Sequence, residues 1–155
     1  MSFEEKVTWA NAVVATAVSA VYFAVVFGQL GRLAASEIAY QWPLLVAIGA
    51  GIVLNIVCAI LVGIGSGIAT GISNAVSGDD LPLECAYLKD ERDTVIGRQG
   101  ELVGYYVLSA GAVAVLALTM LKFDYFWIAN VLYLSFVVAS VVSSAVKIAA
   151  YRRGF

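Results

Sequence analysis

The residues best equipped for chemistry are carboxylates, and they lie close together in the chain: Asp79, Asp80, Glu84, Asp90, Glu91, Asp93 and Glu101. Oxygen ligands of this kind can collect a hard cation such as Mg²⁺ or Ca²⁺. Lys89, Arg92 and Arg98 are interleaved with them, however, so a solvated, ion-paired helix face accounts for the cluster better than a metal site. Histidine is missing altogether, which removes Ser-His-Asp triads, His-ligated zinc and His-ligated haem from consideration. Cys58 falls in an apolar segment and Cys85 in the charged one, so neither a Cys-x-x-Cys motif nor a disulfide is expected. Gly65-x-Gly67 lacks the third glycine of a dinucleotide loop, with Thr70 in its place, and no strand precedes it. The expectation is a non-enzyme with no catalytic residue, cofactor or metal, and no nucleic-acid partner.

Polar side chains inside apolar segments are the next place to look, because each is costly in lipid unless paired or facing water. Here they are Asn11, Asn55, Asn130, Thr16, Ser19, Ser135 and Ser140, and none is ionisable. A proton-coupled exporter would normally carry a membrane carboxylate, so that class is disfavoured. Asn55 is deepest and stands among small residues, where an interhelical hydrogen bond is the simplest role. The alternative is a polar path along Asn11, Asn55 and Asn130 in a small homo-oligomeric channel or transporter.

The elements that must carry these residues are set by the distribution of charge. The chain is 62% hydrophobic and 13% charged, against roughly 45–50% and about 25% in soluble domains. No charge occurs from Val7 to Phe27, Gln41 to Gly78, Leu102 to Leu121 or Tyr125 to Val146. Each block exceeds or matches the ~20 residues that cross a bilayer as a helix. The spacing predicts an all-α integral membrane four-helix bundle in a single domain of 155 residues, with spans at about 7–27, 42–65, 102–121 and 125–146. The acidic start, Glu4-Glu5-Lys6, and the uninterrupted apolar run behind it favour a retained first span over a cleaved signal.

Lysine and arginine give the orientation, since short basic loops stay cytoplasmic. Lys6, Lys89, Arg92, Arg98, Lys147, Arg152 and Arg153 fall on one side, whereas the other side has only Arg32 and Lys122. Both termini and the loop at about 76–101 are therefore expected in the cytoplasm. Trp9, Tyr105, Tyr106 and Tyr151 then mark inner boundaries, and Trp42, Tyr125 and Trp127 outer ones. Leu30, Leu33 and Ile38 of the first loop are expected along the outer membrane surface. The third loop, Lys122-Phe123-Asp124, forces a tight hairpin of the last two spans.

Two further local features follow. From Pro43 to Ser77 an unbroken helix would measure about 50 Å against roughly 30 Å of hydrocarbon, so it either projects into the cytoplasm or breaks within Gly63-Ile64-Gly65-Ser66-Gly67. Asp90 is a plausible N-cap for a helix that runs on into the third span.

Small residues recur at helical spacing in every span. Gly51, Asn55, Ala59, Gly63, Gly67 and Gly71 share one face of the second. The first carries Ala12, Thr16, Ala20, Ala24 and Gly28, the fourth Ser135, Ala139, Ser143 and Lys147. In the third, Gly97, Gly104 and Gly111 repeat every seven residues with Gly100 beside them. Such glycine-zipper faces let backbones approach closely where lipid removes the ordinary hydrophobic drive between helices. Packing within one bundle is the simplest use of them. Four spans nevertheless offer more small-residue surface than a single bundle needs, which favours a dimer or higher assembly.

The segment Asp90-Glu91-Arg92-Asp93-Thr94-Val95-Ile96, followed by Gly104-Tyr105-Tyr106 and a hairpin ending Tyr151-Arg152-Arg153-Gly154-Phe155, resembles a family of prokaryotic membrane proteins of unknown function. The resemblance covers roughly the second half of the chain and implies a prokaryotic cytoplasmic (inner) membrane. It also singles out Asp90, Glu91, Arg92 and Asp93 as a cytoplasmic motif, either a clamp on the basic tail at Arg152 and Arg153 or a surface for a protein partner. Together these features lead to a scaffold or accessory subunit in the lipid bilayer, acting through helix packing and its charged cytoplasmic loop.

Overall fold

The structure is a computed structural model that describes residues 3–30, 32–77 and 91–153, with side-chain surroundings for 4–30, 32–35, 37–65 and 93–153. It is an all-α four-helix bundle, with helices α1 (Phe3–Phe27), α2 (Gln41–Ser77), α3 (Glu91–Met120) and α4 (Tyr125–Arg153). All four are long and apolar enough to cross a membrane, over Glu4–Phe27, Gln41–Gly65, Asp93–Met120 and Tyr125–Arg153. Their outward surfaces are apolar: Val53, Ile56, Ile60 and Leu61 of α2 and Val113 and Leu116 of α3 are exposed. In water so large an apolar surface would drive aggregation, whereas in a bilayer it is the solvated surface. The chain is a multi-pass membrane protein.

The helices are not equally engaged. α3 lies along α4, α4 along α1, and α1 along α2, so α1 and α4 form the inner pair and α2 and α3 the flanks. Trp9 meets Arg152 at one end of the α1–α4 interface, and Tyr22 meets Asn130 nearer the other, so these two helices are antiparallel. α3 and α4 are antiparallel as well, since Gly100 faces Lys147 and Gly111 faces Ser135. The described ends of α1 and α4 at Glu4 and Arg153 therefore share one side.

The α3–α4 turn is as tight as the three-residue loop requires, and its hydrogen bonds show how. Phe123 N–H donates to Leu118 O at 3.1 Å and Lys122 N–H to Thr119 O at 3.1 Å, the paired bonds that close a helix C-terminus around a left-handed residue. Lys122 supplies that residue, with φ 57°. Asp124 then occupies the N-cap position of α4, its carbonyl accepting from Trp127 N–H at 2.9 Å and Ile128 N–H at 3.3 Å.

α2 resolves the question posed by its length: it runs unbroken from Gln41 to Ser77 through the glycine cluster. Its 12 residues beyond Gly65 carry the helix about 18 Å further. α3, Glu91–Met120, continues into the span without interruption. Asp90 itself lies outside the described residues.

The apolar core gathers at the loop end of α1, α2 and α4. Tyr22, Val26, Ile38, Ala47 and Phe126 are buried together, with Leu30, Tyr40, Leu44 and Trp127 packed around them. Edge-to-face rings tie the cluster: Tyr40 on Phe126 at 5.3 Å, Phe126 on Trp127 at 5.2 Å, and Tyr22 on Tyr133 at 5.0 Å. This corrects the reading of the first loop. Ile38, expected on the membrane surface, is instead 4% exposed and plugs the gap between three helix ends, with Leu30 against it, while Leu33 stays exposed. A short 3-10 turn at Ala35–Glu37 turns the chain inward to place it.

Candidate functional site

The predicted spans carry no Asp, Glu, Lys or Arg, and the helix faces are the surfaces to compare; three differ in how they are occupied.

The α3–α4 face is closed. A Cβ built on Gly100 would collide with the Lys147 side chain and lie 3.0 Å from Ser143 O. One on Gly104 would lie 3.1 Å from Ser143 Cβ and 3.3 Å from Ala139 O, and one on Gly111 would collide with the Ser135 side chain. Contacts this tight mean the glycines are required by close approach of α4. The partners are the row read from the sequence of α4: Ser135, Ala139, Ser143 and Lys147. The α3 row is corrected by one member. Gly97 would meet nothing within 4 Å, and Gly100 takes its place as the notch across which the Lys147 stem lies. The Lys147 ammonium ends 3.5 Å from Glu101 Oε1, a partly exposed pair of modest strength.

The α1–α4 face is held by polar groups and rings rather than glycine. Tyr22 O–H donates to Asn130 Oδ1 at 2.9 Å, and Asn130 Nδ2 donates to Phe126 O at 2.8 Å, so both ends of this buried amide are satisfied. Ser19 Oγ donates to Ala15 O at 2.6 Å and lies 3.3 Å from the Tyr133 hydroxyl. Pairing of this kind keeps polar side chains tolerable in hydrocarbon. At the other end the Arg152 guanidinium lies 5.7 Å over the Trp9 ring. The small row expected on α1 is not the packing face: Thr16, Ala20, Ala24 and Gly28 are exposed and Ala12 is half-buried. Burial falls on Thr8, Ser19, Tyr22 and Val26, because the hydroxyl partners and the aromatic cluster fix the rotation of the helix.

The α2 face stands open. Cβ atoms built on Gly49, Gly51, Gly63 and Gly65 would meet nothing within 4 Å. Gly51, Asn55, Ala59 and Gly63 are half-buried and turned partly inward, and although α2 packs along α1, space is left beside Gly51. The gap is a cleft of about 400 Å³ bounded by Ala15 and Ser19 of α1, Gly51 and Asn55 of α2, and Tyr133 and Ser140 of α4. A wholly apolar groove past Leu44, Ile48, Leu132 and Phe136 adjoins it. Asn55 Nδ2 donates to Gly51 O at 2.9 Å, while Asn55 Oδ1 is shielded and has no hydrogen-bond partner. Leaving such an oxygen unpaired typically costs about 1–3 kcal/mol, so the bonding capacity of Asn55 is only half used. Gly67 and Gly71 belong to the α2 backbone, and their surroundings lie outside the described residues.

The three asparagines expected along one polar path are not brought together. Asn130 is buried at 2% exposure and bonded to Tyr22 of α1 and to the α4 backbone, Asn55 lies in the cleft beside α2, and Asn11 is half-buried on α1. Asn11 is eight residues before Ser19, about 12 Å along the helix. In the charged motif, Glu91 and Arg92 are the first residues of α3, with their side chains outside the described set, and Asp93 is half-buried in the first turn. The described contact of Arg152 is Trp9 on α1, and the described ion pair between α3 and α4 is Lys147 with Glu101.

Sequence reasoning missed the Tyr22–Asn130 bond, the Ser19–Tyr133 contact, the Ile38 plug and the Trp9–Arg152 stack. Asn130 and Ser19 gave a signal, as side chains too polar to leave unpaired in a span. Comparison with known proteins finds no matching family model, no matching curated protein and no matching solved structure.

Proposed function

We propose that this chain is a non-enzymatic scaffold or accessory subunit of the membrane that works by helix association, with α2 as the associating element. The observation that carries this reading is the cleft beside Gly51 and Asn55: the chain's own helices leave that small-residue face unfilled, while they close the face of α3 at Gly100, Gly104 and Gly111. Packing and interhelical hydrogen bonds are what drive helices together in lipid, so an open face of this composition favours a further helix. A second copy of the chain is the proposed partner, giving a dimer or higher assembly. The basic residues at 147–153 and in the 89–98 segment favour cytoplasmic termini, and the Asp90-Glu91-Arg92-Asp93 resemblance favours a prokaryotic inner membrane. The charged segment is then available to a cytoplasmic or membrane protein.

Purification in a mild detergent with measurement of the protein mass tests this reading. A dimer or larger species, or a stoichiometric membrane-protein partner, is expected; a monomer with no partner would overturn it. A second reading, a small homo-oligomeric channel or transporter, is favoured by the polar side chains Ser19, Asn55 and Ser140 that line the cleft. Solute flux through reconstituted vesicles that disappears in Asn55→Leu would establish that reading instead.

A further inference from the structure

We draw no further inference here: the strongest candidate, the lateral groove between α2 and α4 that runs from Leu44 to the cleft at Asn55, is an apolar face, and nothing in the structure shows what covers it beyond the association already proposed.

Discussion

Two glycine-bearing helices flank this bundle, and the chain uses them in opposite ways. On α3, Gly100, Gly104 and Gly111 meet Lys147, Ser143 and Ser135 so closely that none has room for a methyl group without displacement. On α2, Gly51 has open space where a side chain would go, and the amide beside it keeps an unpaired oxygen. A small-residue stripe is thus a capacity for close approach rather than evidence of it. Whether a neighbour takes it up depends on the rest of the fold, here on α4 presenting a matching row to α3 and on α2 being held mainly at its loop end by Ala47 and Leu44.

The largest expected effect separates the two faces directly. Gly111→Leu drives a side chain into Ser135 and should destabilise the bundle by about 3 kcal/mol, the upper range for overpacking, whereas Gly51→Leu enters open space and should leave the unfolding midpoint unchanged or raised. Unfolding of the detergent-solubilised variants, followed by circular dichroism, checks the pair. Equal destabilisation by both would erase the distinction.

Next is the inner pair, which lacks a glycine seam. Tyr22→Phe removes the hydroxyl that donates to Asn130 and should lower stability by about 1 kcal/mol, within the range for hydrogen bonds between membrane helices. Tyr22→Phe combined with Asn130→Leu should recover part of that loss, because no buried amide oxygen then goes unpaired. A double-mutant cycle with no coupling would show that the bond contributes nothing.

Asn55→Leu sharpens the α2 side of the comparison. Asn55 lines the cleft assigned to association, so the substitution should weaken self-association by a few-fold, while loss of the shielded, unpaired oxygen leaves the isolated chain as stable or more so. Dilution-dependent energy transfer between labelled copies measures it, and an unchanged dissociation curve would remove Asn55 from the interface.

The smallest expected effect lies in the hairpin that sets α3 against α4. Lys122 adopts φ 57°, a conformation that disfavours a residue with a Cβ, so Lys122→Gly should stabilise the hairpin by up to about 1 kcal/mol. A drop in the unfolding midpoint would mean that the lysine side chain makes a contribution beyond its backbone geometry.

Much of this architecture was legible from the residues. Charge-free blocks determine spans because lipid tolerates little else, and three loop residues between two spans permit only an antiparallel hairpin. The α3–α4 seam was legible too, since Gly104 and Gly111 faced a helix carrying Ser135, Ala139, Ser143 and Lys147 at matching intervals. The rotation of α1 was not. Its row Thr16, Ala20 and Ala24 suits packing, yet the hydroxyls of Ser19 and Tyr22 and the ring cluster around Phe126 turn it outward, and those partners are over 100 residues away in sequence. Ile38 was misplaced for a similar reason: an apolar residue in a short loop looks membrane-facing until three helix ends leave a space for it. The continuity of α2 could not be decided from glycines, which permit a break without requiring one. An unbroken helix satisfies its own backbone groups, the condition hydrocarbon imposes.

The central claim is that the open α2 face serves association, and its most direct test is the native mass of the wild-type protein beside Gly51→Leu under identical mild-detergent conditions. The account predicts a dimer or larger assembly for the wild type and a folded monomer for the variant. A wild-type monomer, or a variant that assembles as the wild type does, would contradict it.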